Sequence, residues 1–216
     1  MALQPEQSFL AHTLFEHIIY AVVDADPIGC HVYAFLASTG VQLWRSELMA
    51  DPVFDSPLRI GKRIFCVGVS SVFALDADSG ELLWTHFVGT TNYLQACVED
   101  ETLYLCLRSG YQQMLTDDEL RHQKDGALLA LSVIDGSVRW WRDVVLRPTM
   151  FHVKHGVFYV RVDQRNDLYA FDAENGSALW HTDPVIDPAQ TQLMIQPGFG
   201  SSLIVTHNLY GQPFLV

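Results

Sequence analysis

Short apolar runs broken by polar, glycine-bearing segments recur along the chain, and their lengths suit strands. Residues 18–23, 31–35 and 41–45 form a first group, with a polar loop through Asp24 and Pro27 between the first two runs. Residues 57–60, 63–69, 72–75 and 81–86 form a second, and 93–98, 102–108, 127–131 and 137–144 a third. A fourth covers 149–153, 157–162, 168–171 and 178–181, and 192–195, 203–206 and 213–216 begin a fifth. Residues 1–16 read as an irregular lead-in ending in a strand, with a short helix start or a first strand over 8–15 as alternatives.

One frame returns at a fixed place in each of the first four groups. Ala34, Ala74, Ala130 and Ala170 are each followed six residues later by Gly40, Gly80, Gly136 and Gly176, and four residues after that by Trp44, Trp84, Trp140 and Trp180. The pairs Thr39-Gly40, Ser79-Gly80, Asp135-Gly136 and Asn175-Gly176 lie between apolar runs. A polar residue followed by Gly is how a chain enters the positive φ of a tight hairpin turn. Each Trp then falls on the strand after the turn, where its ring needs a flat surface that a neighbouring Ala and a Gly backbone supply. A fixed offset repeated four times marks a repeat architecture, and four short strands per repeat describe the blade of a propeller.

The frame resembles the tryptophan-docking motif of pyrroloquinoline-quinone-type (PQQ-like) β-propeller repeats, whose consensus is Ala-x-Asp-x-x-Thr-Gly-x-x-x-Trp. The third-position Asp is kept at Asp76 and Asp172 and replaced by Leu36 and Ser132, while the Thr is kept only at Thr39. The resemblance implies an all-β fold: β-propeller blades, four full four-stranded ones plus a partial fifth, in a single repeat domain over 1–216. It also implies that each Trp packs between its own repeat's Ala and the Gly peptide of the next repeat. The family includes quinone-dependent alcohol and glucose dehydrogenases, which close about eight blades around the quinone and a calcium ion. Many of those press a disulfide of adjacent cysteines onto the quinone. The motif itself holds blades together and does not bind the quinone, so the resemblance implies no cofactor.

The motif glycines are 40, 56 and 40 residues apart, so the third repeat carries extra chain, which belongs between Gly110 and Gly126. Within it, Thr116 caps a helix start, Glu119 reaches back, and Leu115 staples onto Leu120. The spacing predicts a helical insertion over 111–125 that stops near Gly126. Interrupting an otherwise unchanged frame makes it a candidate partner-binding feature, carried by Leu115, Asp117, Asp118, Leu120 and Arg121. A tolerated surface insertion is the other reading. Asp117, Asp118 and Glu119 imitate paired catalytic carboxylates, but at a helix start they complement the dipole.

Composition narrows the functions. A chain of 216 residues with 49% apolar residues buries a substantial core, and a net charge of −12 repels a nucleic-acid backbone or an anionic membrane. No Lys or Arg precedes Arg45, His12, Glu16 and His17 interrupt the N-terminal apolar stretch, and no run approaches the ~20 apolar residues of a membrane span. The expectation is a cytoplasmic protein. Cys30, Cys66, Cys97 and Cys106 show no zinc spacing and no adjacent pair. Cys66 and Cys106 read as small hydrophobes in strands, and a cross-hairpin Cys97–Cys106 disulfide stays open.

His152 and His155 have a His-x-x-His spacing, but His155 precedes Gly156 in an expected turn and no third ligand is placed. Ser70-Ser71 and Ser201-Ser202 lack the strand–turn–helix context of a hydrolase nucleophile. The expected function is therefore a non-catalytic propeller that binds a protein partner as a scaffold or sensor module. A quinone-dependent dehydrogenase relative and an envelope assembly factor similar to the propeller lipoprotein of outer-membrane barrel assembly are the alternatives. Trp180 needs the Gly of a following repeat, which leads to an expectation of self-association or of completion by another segment or chain.

Overall fold

The computed structural model describes residues 9–25, 29–53, 55–89, 91–109, 126–144, 148–162, 168–182, 193–197, 203–207 and 213–215. The predicted helical insertion over 111–125, with Leu115, Asp117, Asp118, Leu120 and Arg121, lies outside them, as does Ser201-Ser202. The described residues form strands, turns and bends without a helix, so no helix among them is long and apolar enough to cross a membrane.

The strands assemble in chain order. The first sheet runs β1 (Phe9–Phe15), β2 (Ile18–Asp24), β3 (Cys30–Leu36) and β4 (Gln42–Arg45). The second runs β5 (Leu58–Ile60), β6 (Arg63–Val67), β7 (Ser71–Asp76) and β8 (Leu82–Phe87). The third runs β9 (Thr91–Glu99), β10 (Thr102–Ser109), β11 (Gly126–Ser132) and β12 (Val138–Val144). The fourth runs β13 (Pro148–Lys154), β14 (Val157–Val162), β15 (Leu168–Asp172) and β16 (Ala178–His181). A three-stranded sheet of β17 (Leu193–Pro197), β18 (Leu203–His207) and β19 (Pro213–Leu215) follows. Strand β1 supplies the first member of the first sheet, which the apolar pattern from residue 18 onward left at three.

Each four-stranded sheet is a meander, and burial explains its sequence. Middle strands are covered on both faces, so they read as continuous apolar runs rather than alternating ones. In β11 all seven residues are buried. The fourth strand of each sheet is an edge and stays largely exposed, as in β4, β8 and β16.

By packing, the chain divides into two compact units: Met1–Thr91 with Val133–Ser137, and Asn92–Ser132 with Val138–Val216. In the first, Tyr20, Val22, Val32 and Ala34 of one sheet meet Ile64, Cys66, Phe73 and Leu75 of the next, with Met49 and Val53 of the connecting segment between them. In the second, Tyr104, Cys106, Leu128 and Trp140 meet Phe151, Val153, Phe158, Val160 and Phe171. Phe158 stacks on Phe151 at 4.8 Å and takes Tyr104 and Trp140 edge-on at 5.7 and 6.1 Å. Burying such a side chain contributes about 1.5–3 kcal/mol.

Candidate functional site

The repeated frame defines the most ordered chemistry of the molecule. In each four-stranded sheet the motif Ala pairs with the motif Trp across the last two strands: Ala34 with Trp44, Ala74 with Trp84, Ala130 with Trp140, Ala170 with Trp180. Directly after each pair the register slips, leaving Leu43, Leu83, Arg139 and Leu179 as the extra residue of a bulge. A bulge bends its strand and re-aims the neighbouring side chain, here the Trp ring.

The turn before it is wider than a polar–Gly pair suggests. Leu36 N–H donates to the Val41 carbonyl, Asp76 N–H to Glu81 and Asp172 N–H to Ser177, each at 2.8 Å, so each loop holds four residues. Only its last residue is left-handed: Gly40, Gly80, Gly136 and Gly176 have φ of 69°, 75°, 71° and 71°. Asp76 and Asp172 fasten the loop from below, each Oδ1 accepting two backbone N–H groups, from Asp78 and Ser79 and from Glu174 and Asn175. Burial alone would raise the Asp76 carboxyl. Hydrogen bonds from Ser79 and Asp78, with Lys62, hold it below the usual carboxylate value instead.

Three of the four tryptophans dock on the turn of the following repeat. Trp44 Nε1–H donates to the Ala77 carbonyl at 3.0 Å, Trp84 to Val133 at 3.3 Å and Trp140 to Ala173 at 2.8 Å. The rings lie against the glycines. A Cβ on Gly136 or Gly176 would stand 2.6 or 2.7 Å from the Trp84 or Trp140 ring, and one on Gly80 would stand nearer still to Trp44. Glycine is therefore needed twice at these positions, for its φ and for the ring beneath it. Trp140 is only 9% exposed, whereas Trp180 is 46% exposed, with its ring beside Tyr159. Trp141 faces away from Trp140, exposed, and bonds Asp143 at 2.9 Å.

A second clasp lies two residues past the Trp, where the sequence shows no repeat. Arg142 Nη1–H donates to the Gly176 carbonyl at 2.7 Å, and His86 hydrogen-bonds the Gly136 carbonyl. Burial pushes the His86 imidazole below its usual value, and the bond to Gly136 opposes that. At the same position the hydroxyls of buried Ser46 and exposed Thr182 accept Val32 N–H and Leu168 N–H from their own repeats. Another polar tie unread in the sequence is Asp51, buried in the connection between the first two sheets. Its Oδ2 accepts Ser70 N–H at 2.8 Å, Ser71 N–H at 2.7 Å and the Ser70 hydroxyl at 3.2 Å. Ser70 and Ser71 thus serve a structural carboxylate.

Among the described residues, the cysteines and His155 are also absorbed by the fold. All four cysteines are free thiols. Burial pushes Cys30 up to about 11 and Cys97 to about 12, and raises Cys66 and Cys106 as well, so none is a nucleophile near neutral pH. His155 begins the turn between β13 and β14 with φ of 51°, and its N–H donates to Glu99 at 2.9 Å. Among the described residues no group of three or more His, Cys, Asp and Glu is placed to hold a metal ion. Among the side chains the edge strands leave in solvent are several apolar ones: Leu43 on the first, with Val41 just before it, and Leu82, Leu83 and the 71% exposed Phe87 on the second.

Successive four-stranded meanders, each tied to the next by an indole beneath a glycine turn, define a PQQ-like β-propeller repeat protein. A family model described as outer membrane protein assembly factor BamB matches residues 21–152, more than half of the chain, and the chain belongs to that family. Among solved structures, BamB from Moraxella catarrhalis is 16% identical with a TM-score of 0.56, over 98% of this chain and 74% of that one. A quinohemoprotein alcohol dehydrogenase from Pseudomonas putida HK5 is 13% identical with a TM-score of 0.61, over 91% of this chain but only 38% of the dehydrogenase. The C-terminal WD40 domain of Sif2 is 8% identical with a TM-score of 0.65, over 96% and 69%. At these identities the likeness is one of fold. No curated protein sequence matches the chain.

Proposed function

We propose that this protein is a non-catalytic propeller scaffold that binds a protein partner. The observation that carries the reading is where the chemically capable side chains are used. Asp51, Asp76, His86, Arg142 and Asp172 are bonded to backbone groups that hold turns and sheets, while Leu43, Leu82, Leu83 and Phe87 stand in solvent on two edge strands, with Val41 at the start of the first. Exposed apolar side chains on a strand edge favour association with another polypeptide. Phe87→Ser and Leu83→Ser should weaken partner capture at least tenfold and leave the thermal midpoint near that of the wild type. Undiminished capture by both variants would contradict this placement of the surface.

The family match favours a second reading, an envelope assembly factor whose partners belong to outer-membrane protein assembly. The two readings differ in where the protein works. Fractionation of host cells should place a scaffold or sensor module in the cytoplasm and an assembly factor in the envelope. A quinone-dependent dehydrogenase relative is tested separately by adding quinone and calcium and following cofactor absorbance and dye reduction, for which a scaffold gives no turnover.

A further inference from the structure

We infer that the turn at Gly40 is an open tryptophan-docking socket that receives Trp180 from a second copy of this chain. The socket is built like the three that are filled. Gly40 has the same left-handed φ, its N–H donates to Leu36 at 2.8 Å as Gly80 does to Asp76 and Gly176 to Asp172, and Ala37 N–H donates to His17 as Ala77 does to Lys62 and Ala173 to Gly156. The carbonyl that takes the indole N–H belongs to the residue three before the glycine, so Ala37 holds that position here.

What differs is the cover. Gly80, Gly136 and Gly176, with Ala77, Val133 and Ala173, are buried, whereas Gly40 and Ala37 are exposed. A Cβ on Gly40 would meet nothing within 4 Å, where one on each of the other three would strike an indole. The complementary part is also present. Trp180 pairs with Ala170 and follows the same bulge as the docked tryptophans, yet it is 46% exposed, with Leu179 exposed beside it.

Charge favours a second copy as the occupant. The chain carries a net −12, so two copies repel overall and meet at less cost where carboxylates are absent from both surfaces. The Gly40 turn, Leu36-Ala37-Ser38-Thr39-Gly40, has no charged residue, whereas the docked turns contain Asp76 and Asp78, Asp135, and Asp172 and Glu174. The edge around Trp180, Ser177-Ala178-Leu179-Trp180-His181-Thr182, has no carboxylate or Lys or Arg either. Because the two surfaces differ, the contact is either repeated head to tail or made twice in a reciprocal dimer.

The test is the mass in solution, by light scattering after size exclusion across a concentration series, of wild type, Trp180→Ala and Gly40→Asn. Asn tolerates the left-handed conformation while placing a side chain where the ring must lie. Wild type should associate as concentration rises. Each variant alone should associate at least tenfold more weakly, because each lacks one half of the contact. An equimolar mixture should form a one-to-one complex, since Gly40 of one variant meets Trp180 of the other. Association should also move the tryptophan emission of wild type, but not of Trp180→Ala, to shorter wavelength. Wild type that stays monomeric throughout, or Trp180→Ala that associates as wild type does, overturns the inference. A mixture that fails to recover the complex while both variants keep the wild-type thermal midpoint does so as well.

Discussion

The hairpin at Gly176 and the hairpin at Gly40 have the same backbone and opposite surroundings. Gly176 is buried over the Trp140 ring and its carbonyl is held by Arg142, while Gly40 is exposed. Since the loop closes identically in both places, the turn is made by local chemistry: a left-handed glycine at its end and one strand-closing hydrogen bond. Docking is a separate event added to a finished turn. The same frame therefore shapes a hairpin everywhere and joins two repeats only where an indole arrives.

That separation fixes where mutations are felt. Trp140→Ala removes a ring packed against Tyr104 and Phe158 and bonded to Ala173, and should cost about 3–5 kcal/mol in chemical denaturation. Trp180→Ala, on the exposed edge, should cost under about 1 kcal/mol in dilute protein. Equal losses at the two sites would erase the distinction between docked and undocked tryptophans.

Glycine substitutions sharpen it. Gly40→Ala should lose about 1–2 kcal/mol for forcing a side chain into the left-handed region. Gly80→Ala and Gly176→Ala should lose about 1–3 kcal/mol more, because the added methyl displaces an indole. Thermal unfolding of the three variants side by side shows whether Gly40 is the mild one. Arg142→Met keeps the apolar stem and deletes the bond to Gly176, for an expected loss of about 1–2 kcal/mol.

The smallest effect is electrostatic. Burial lowers His86, which hydrogen-bonds Gly136, and likewise His152, so the folded protein takes up these protons at lower pH than the unfolded chain. The linked stability is complete above the unfolded value of about 6.5 and is lost as pH falls through the folded ones. Thermal midpoints measured from pH 7.5 down to 5 should decline, and His86→Gln should make the decline shallower. A midpoint that rises on acidification would contradict the direction assigned to both imidazoles.

The fold was legible because its repeat rests on residues with no substitute. Only Gly suits the turn, only Trp covers the neighbouring turn, and Ala opposite it leaves room for the ring, so these positions recur at fixed offsets. The bulges at Leu43, Leu83, Arg139 and Leu179 were not legible, since a bulge is a matter of register and any side chain can occupy it. The second clasp escaped for a different reason. Ser46, His86, Arg142 and Thr182 share a place but not a chemistry, so no pattern marks them. Asp51 sits in a connecting segment where an acidic residue looks solvated, and only the fold brings three donors to it. The same fold placed the suggestive Ser70-Ser71 pair in that structural role. The edge-strand surface was hidden because Leu82, Leu83 and Phe87 look like core residues until β8 is known to be an edge.

A double-mutant cycle at Trp140 and Gly176 decides whether docking is a physical contact distinct from the turn. With the ring removed by Trp140→Ala, Gly176→Ala should cost only the left-handed penalty, about 1–2 kcal/mol and equal to that of Gly40→Ala in the wild type. A Gly176→Ala penalty that stays at its full size without the indole would show that the glycine answers to its own backbone alone, and that Trp140 does not join one repeat to the next through it.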